Sequence, residues 1–188
     1  MTGGNDAESG HGEDKRVALL IAVLALCLAL VETGAKSAQT EAISHNVETT
    51  DAWAFYQART IRQTTVRTAA EQAELLKPAA DPASRTVIDT QQKTWRDTAN
   101  RWEDDPKGGD GKKQLAEKAR KIEEARETSM AKYHLYEYGA ALLQVAIVIA
   151  SASIITTVPL LAVGGLLLGL GGVALGLLGM LAPHAIHF

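Results

Sequence analysis

The sequence is poor in residues that form disulfides, turns and aromatic clusters, and its C-terminal part has no charge. Among 188 residues there are one cysteine, five prolines and 5% aromatic residues. Cys27 lies in an apolar run, and a single cysteine excludes an intrachain disulfide. No Asp, Glu, Lys or Arg follows Glu137. Because no stretch alternates polar and apolar residues as a half-buried strand does, the chain is predicted to be all-α.

Charge is confined to the first part of the chain and is nearly balanced there, with a formal net charge of −3 for the whole. Nucleic-acid binding needs a surplus of Lys and Arg to neutralise phosphates. The composition therefore argues against nucleic acid as a partner.

The charge-free segment predicts two transmembrane helices, over residues 139–157 and 160–181. About 20 apolar residues suffice to cross a bilayer, and each range is close to that length. Pro159 lies between them and favours a turn. We expect a hairpin in the lipid bilayer, followed by a short C-terminal tail over residues 182–188.

A third apolar run, Val17–Val31, follows the basic pair Lys15 and Arg16. Such a run is typical of a cleavable signal peptide or of a membrane anchor, here over residues 17–35. The helical pattern that continues beyond it favours the anchor. Residues 1–16 are acidic and polar, and we expect them to form a disordered tail.

The middle of the chain, residues 36–138, is highly charged and has the pattern of long helices. A narrow apolar stripe is predicted from residues mostly three or four positions apart: Ile43, Val47, Thr50, Ala54 and Ile61. Proline, glycine and aspartate predict turns near 77–83 and 104–111. The fold class expected is an all-α membrane protein with three transmembrane helices. An extramembrane antiparallel helical hairpin or coiled coil is inserted between spans one and two.

Five glycines of the last span lie on one helical face, because they are spaced by steps of four and three: Gly165, Gly169, Gly172, Gly176 and Gly179. Small residues allow helix backbones to approach closely in lipid. We predict a helix-packing face, used within one subunit or between subunits. The alternatives are the lining of a small pore or lipid groove, and flexibility without specific contact.

Aromatic and basic residues cluster on adjoining faces of the first long helix: Trp53, Tyr56, Arg59, Ile61 and Arg62. One hypothesis is a recognition surface for a partner protein. The simpler interpretation is structural, with the aromatic rings packed on the return helix and the arginines paired with its glutamates. We predict no catalytic residue, cofactor or metal site, since no phosphate-loop lysine motif, CxxC pair or nucleophile–base set can be read.

The segment Asp51–Gln63 resembles the W-A-Y-Y-Q-A-K-x-I-[KR] core of bacterial membrane proteins grouped as domain-of-unknown-function family 4337, DUF4337. The likeness covers nearly the whole chain, including the three apolar segments. Phe55 and Arg59 stand where Tyr and Lys are expected, and residues 81–111 are shortened or divergent. The resemblance implies an inner-membrane protein with three spans and brings no activity or catalytic residue.

Three spans would place the charged middle and the C-terminus on the same side of the membrane. Lys and Arg are more numerous on that side, so the positive-inside rule predicts a cytoplasmic middle. The leading hypothesis is a non-enzymatic oligomeric scaffold or partner-docking protein of the bacterial inner membrane. Its partners would be the lipid bilayer and either its own copies or another membrane protein. The alternative is a small channel, a transport accessory or a membrane stress-response component.

Overall fold

A computed structural model describes the backbone of residues 5–185 and the side chains of residues 15–185. The described chain consists of four α-helices and one short 3-10 helix: α1 (Asn5–Leu76), the 3-10 helix (Lys77–Ala79), α2 (Pro82–Glu103), α3 (Lys112–Thr156) and α4 (Pro159–Leu181). No strand occurs in this part of the chain. The all-α prediction is confirmed.

Proline and local capping determine where the helices begin and end. α1 ends at Leu76, just before Pro78, and α2 has Pro82 in its first turn. The Asp81 carboxylate caps α2 by accepting hydrogen bonds from the backbone N–H groups of Ala83 and Ser84, at 2.9 and 3.1 Å. Hydrogen bonds from Ser84, first from its hydroxyl and then from its backbone, lower the pKa of Asp81.

α1 begins earlier than the sequence analysis predicted. Residues 1–16 were expected to be a disordered tail, but the helix starts at Asn5, and residues 1–4 lie outside the described residues. Extending an existing helix costs far less free energy than nucleating a new one. A long helix downstream can therefore extend into a polar segment that would not form a helix alone.

Three helices are long and apolar enough to cross a membrane, judged by length and composition: α1, α3 and α4. α1 and α3 also contain long charged segments, since they have 72 and 45 residues, whereas α4 has 23 residues and no charge. At 1.5 Å per residue α4 is about 34 Å long, which matches a hydrocarbon core of about 30 Å.

The chain divides into two compact units. The apolar unit is formed by Met1–Ile43 with Arg126–Phe188, and the charged unit by Ser44–Ala125. Each has its own buried residues. The two units are described separately below.

The apolar unit is a three-helix bundle of the first part of α1, the second part of α3, and α4. α1 and α3 are antiparallel, because Gly34 lies beside the Tyr136 ring while Glu32, two residues earlier in α1, accepts a hydrogen bond of 3.2 Å from Gln144, eight residues later in α3. The core contains Leu24, Val31, Ala140, Leu143 and Ala146.

In the charged unit, α1 is paired first with α3 and then with α2. Lys112, at the start of α3, lies 5.8 Å from the Tyr56 ring centroid. Further along α1, the Gln63 side-chain amide donates to the carbonyl of Ala99 in α2 at 2.8 Å. Since both α2 and α3 run antiparallel to α1, the chain reverses direction at residues 77–81 and does not reverse at 104–111.

The segment 104–111 is a break between two helices that run in the same direction, not a second hairpin turn. Gln114 bridges the break, because its amide donates to the Asp104 carboxylate at 2.7 Å and accepts from the Asp105 backbone N–H at 3.0 Å. Gly109 adopts a left-handed φ of 73°. A Cβ at Gly111 would lie 2.5 Å from the Asp105 nitrogen, so only glycine fits there.

The pairing of α1 with α2 is reciprocal. Gln63 of α1 donates to the Ala99 carbonyl and to Glu103, and Gln92 of α2 donates in the same way to Ala70 and Glu74. Two ion pairs follow the same symmetry, Arg67–Glu103 at 3.7 Å and Arg96–Glu74 at 3.4 Å. Both helices carry the same residues at the same spacing: Gln63, Arg67, Ala70 and Glu74 in α1, and Gln92, Arg96, Ala99 and Glu103 in α2.

The predicted apolar stripe of α1 is wrong. Ile43, Val47 and Ile61 are 61%, 56% and 67% exposed, and Thr50 and Ala54 are exposed as well. The buried side of α1 is instead formed by small and polar residues: Ala38, Ala42, Thr49, Ala52, Gln63 and Ala70. Small residues are favoured on the buried side of α1 because they let two helices approach closely. A buried glutamine can satisfy its amide on a facing carbonyl.

The carboxylates of the reciprocal pairing make the charged unit sensitive to acid. Hydrogen bonds from Lys77 and then Gln92 lower the pKa of Glu74, and a hydrogen bond from Gln63, followed by the charge of Lys112, lowers the pKa of Glu103. A carboxylate whose pKa is lower in the folded protein stabilises the fold at pH values above its ordinary pKa of 4.5. This stabilisation is lost as the pH falls through the pKa of the folded state.

We therefore expect the urea midpoint of the charged unit, followed by circular dichroism of the whole chain in detergent, to fall below pH 4.5. Glu103→Gln should weaken that fall, because the substituted side chain does not titrate. An identical pH dependence in the variant would contradict this explanation.

Candidate functional site

The glycine face predicted on α4 is the buried side of that helix. Gly165, Gly169, Gly172, Gly176 and Gly179 are its buried residues. They contact the two neighbouring helices alternately. Glycines seven residues apart face the same neighbour, so α4 packs into the groove between α1 and α3.

Three of these glycines face α3. A Cβ added at Gly172 would lie 2.7 Å from the Gly139 carbonyl oxygen and 2.8 Å from the Leu143 side chain. A Cβ at Gly165 would lie 2.9 Å from the Ala146 carbonyl oxygen. Backbone atoms cannot move aside as a flexible side chain does, so α4 and α3 reach this separation only where glycine is present.

The other two glycines face α1. Gly176 lies against Val31, where an added Cβ would be 2.8 Å from Cγ2, and Gly169 lies against the end of the Leu24 side chain. The first apolar segment is therefore packed directly on the last one. Gly171, by contrast, lies beside the face, and its added Cβ would meet only Leu142, at 3.7 Å.

The sequence left open whether this face packs within one subunit or between subunits. The contacts of all five glycines lie within one chain. Assembly of several copies through the same face would require α4 to leave α1 and α3. A bulky residue at Gly172 is therefore expected to disturb the subunit itself before any assembly of subunits.

Gly172→Ala and Gly171→Ala form a matched pair that tests this packing. In an exposed helix interior, Gly→Ala is favourable by about 0.5–1 kcal/mol. At Gly172 overpacking against the Gly139 carbonyl should reverse the sign and destabilise by about 1–3 kcal/mol. Thermal unfolding in detergent should show a lower midpoint for Gly172→Ala and an equal or higher one for Gly171→Ala. A lower midpoint in both would contradict the assignment.

The cluster around Trp53 is divided by the structure into a packed part and an exposed part. Trp53 and Tyr56 form an edge-to-face ring pair with centroids 5.5 Å apart. Arg59 donates a hydrogen bond to the Asp110 carboxylate and lies 5.5 Å above the Trp102 ring. Arg59 thus joins α1 to the end of α2 and to the 104–111 segment, and the Tyr56 ring faces Lys112 at the start of α3.

The remaining two predicted surface residues point away from this cluster. Ile61 is 67% exposed and Arg62 is also exposed. Arg59 pairs with an aspartate in the connecting segment, whereas the sequence interpretation had paired the arginines with glutamates of the return helix. A shared recognition surface for all five residues is therefore not formed in one place.

A groove in the charged unit was missed by sequence reasoning, because its residues come from two distant segments. It has a volume of about 390 Å³ and combines both charges: His45, Glu48, Gln114, Glu117, Lys118, Lys121, Ile122 and Ala125 line it. The His45 Nδ1 atom lies 3.5 Å from the Glu48 carboxylate. Among the described residues, no cluster of His, Cys, Asp and Glu could hold a metal ion.

Arg59 and Arg62 provide a second matched pair, three positions apart on α1. Arg59→Ala removes the hydrogen bond to Asp110 and the stacking on Trp102, and should destabilise the charged unit by about 1–2 kcal/mol. Arg62→Ala should change stability by less than about 0.5 kcal/mol, as exposed positions usually do. Chemical unfolding followed by circular dichroism compares them. Equal losses would show that the cluster is not what holds these segments together.

Comparison with known proteins gives one finding. No curated protein and no solved structure matches the chain. A family model matches residues 13–182, nearly the whole sequence. The resemblance seen in the sequence is confirmed, and the chain belongs to the family described as Domain of unknown function (DUF4337).

Proposed function

We propose that the protein is a non-enzymatic scaffold of the bacterial inner membrane. The apolar unit is a three-span anchor, and the charged unit is a helical surface that docks a partner. The observation that carries the proposal is the distribution of residues in the apolar unit. Many more large apolar residues are exposed there than a water-soluble bundle of this size would expose.

In the apolar unit most buried residues are small, with Leu24, Val31, Leu135 and Leu143 as the large exceptions, and many large apolar residues face outward. Glycines of α4 and alanines such as Ala146 and Ala150 are buried. The exposed residues are mainly large and apolar: Leu19, Leu26, Leu30, Val148, Ile155, Leu160, Leu167, Leu170 and Leu181. Soluble proteins rarely expose contiguous apolar areas above a few hundred Å². Lipid covers such a surface without cost.

The first apolar segment is proposed to stay in the mature protein as an anchor. Val31 and Leu24 fill the positions beside Gly176 and Gly169 of α4. Loss of the segment would leave two glycines facing lipid with no partner helix. This contact favours an anchor over a cleaved signal peptide.

The continuity of α1 and α3 supports a docking role. Both helices pass from apolar to charged sequence without interruption. Binding residues on such helices are held more precisely than residues on loops. The excess of Lys and Arg beside the membrane favours a cytoplasmic charged unit.

Leu170→Lys tests membrane insertion. Leu170 lies near the middle of α4 and is 58% exposed. In water a lysine at an exposed position is nearly neutral, but at the centre of a spanning helix it costs about 2.5–3.5 kcal/mol. The wild-type chain should remain in membranes after alkaline carbonate extraction, and Leu170→Lys should be inserted less efficiently.

Phe55→Lys in the charged unit is the matched control, because Phe55 is 67% exposed and should tolerate a charge. A wild-type chain released by carbonate, or equal behaviour of both variants, would contradict the membrane anchor. A scaffold also predicts that liposome permeability is independent of the protein. A protein-dependent leak of ions or solutes would favour a channel instead.

A further inference from the structure

The charge-free part of α1 is shorter than the hydrocarbon core of a bilayer. No Asp, Glu, Lys or Arg lies between Arg16 and Glu32. These two residues are sixteen positions apart, which is about 24 Å at 1.5 Å per residue. A typical hydrocarbon core is about 30 Å thick, and tilting a helix only shortens the depth that it covers. The first span is therefore about 6 Å too short for such a bilayer.

α4 extends beyond this charge-free part of α1. The two helices run parallel, since Leu24 lies against Gly169 and Val31 lies against Gly176. Glu32 is therefore level with the residue after Gly176, one turn before α4 ends. The last turn of α4 passes the level at which α1 becomes charged.

α3 becomes charged at the same level as α1. Gly139 of α3 packs against both Gly172 and Gly176, which places Glu137 level with Gly176 and thus with Val31 of α1. Tyrosine is enriched where hydrocarbon meets the lipid headgroups, and two tyrosines flank this glutamate, Tyr136 and Tyr138. Charges and aromatic rings on two helices therefore indicate one boundary of the apolar surface.

The mismatch falls on the Glu32 end of the bundle. Arg16, at the other end, can extend its long side chain outward to the headgroups. Side chains of a helix lean toward its N-terminus, which for Glu32 is the direction of the apolar segment. Its carboxylate accepts a hydrogen bond of 3.2 Å from Gln144, which lies in the charge-free part of α3. The polar pair is thus drawn into the predicted spans, where it is costly unless the bilayer thins around it.

We infer that the apolar unit fits a bilayer with a hydrocarbon core of about 24 Å and thins a thicker bilayer on the side of Glu32. The inference rests on the proposed membrane anchor and specifies the lipid that the anchor prefers, a phospholipid with short acyl chains. Glu32 and Gln144 lie at the contact of α1 with α3. Thinning there brings headgroups and water to the pair, which costs less than burying the pair in hydrocarbon.

Thermal unfolding in lipid nanodiscs tests the fit. The full-length protein is placed in discs of phosphatidylcholine with myristoleoyl, oleoyl or erucoyl chains, which differ mainly in length. The midpoint measured by circular dichroism should be highest with myristoleoyl chains and at least about 4 °C lower with erucoyl chains, because mismatch lowers stability. Equal midpoints, or a maximum with the longest chains, would overturn the inference.

A double variant tests the role of the polar pair. In Glu32→Leu/Gln144→Leu the next charge on α1 is Lys36, twenty positions after Arg16, so the charge-free part grows to about 30 Å. The highest midpoint should then move from myristoleoyl to oleoyl discs. Glu41→Leu is the matched control, because it removes an exposed carboxylate of α1 beyond the boundary and should keep the wild-type order. The same order in all three proteins would contradict the role of the pair.

The thickness of the bilayer provides a measurement that needs no variant. X-ray scattering from oriented oleoyl bilayers gives the distance between the two phosphate layers. This distance should decrease in proportion to the amount of wild-type protein, since the lipid around each bundle is thinned. A distance that does not change with protein content would overturn the inference.

The outcomes separate this inference from the proposed function. A chain that resists carbonate extraction but is indifferent to acyl-chain length, and leaves the bilayer thickness unchanged, overturns the inference alone. Release of the chain by carbonate contradicts the anchor and, with it, the preference for a thin bilayer.

Discussion

Close approach of helix backbones is the constraint on which both units depend. In the apolar unit α3 and α4 meet at Gly139 and Gly172, where neither helix has room for a Cβ. In the charged unit the buried apolar positions are alanines, including Ala70 and Ala99. A gap of about 0.5–1 Å between two atoms already loses about a quarter to a half of their dispersion energy, so helices that meet through small residues are stable only when their backbones lie close together.

Small residues bring helices together but specify register poorly, and in the charged unit buried amides supply the register. Gln63 and Gln92 are each 2% exposed, and each satisfies its amide on a carbonyl and a carboxylate of the facing helix. A shift of the helices by one turn would leave both amides buried without partners. Such a loss costs more than the hydrogen bonds themselves contribute. The repeated Gln, Arg, Ala and Glu spacing is therefore a device for alignment.

Because the glycine face of α4 is covered by α1 and α3, a partner would have to bind elsewhere on the protein. α4 is already packed against α1 and α3, and Arg59 is already engaged with Trp102 and Asp110 inside the charged unit. A concave surface left for another molecule is the groove beside His45. A scaffold function is thus proposed to depend on helix exteriors and not on the residues that looked most distinctive in the sequence.

The sequence by itself determined the helices, the three apolar segments, the positions of the breaks near residues 77–83 and 104–111, and the common face of the five glycines. These follow from local chemistry: proline removes a donor, and residues three or four apart share a side of a helix. The stripe through Ile43 and Ile61 was misassigned, because hydrophobicity favours large residues while close helix packing favours alanine. Only the tertiary structure decided which side of α1 is buried, that 104–111 connects helices of the same direction, and that the glycines contact their own chain. Each of these three features depends on which distant segment of the chain packs against the helix. The spacing of residues along one helix does not identify that segment.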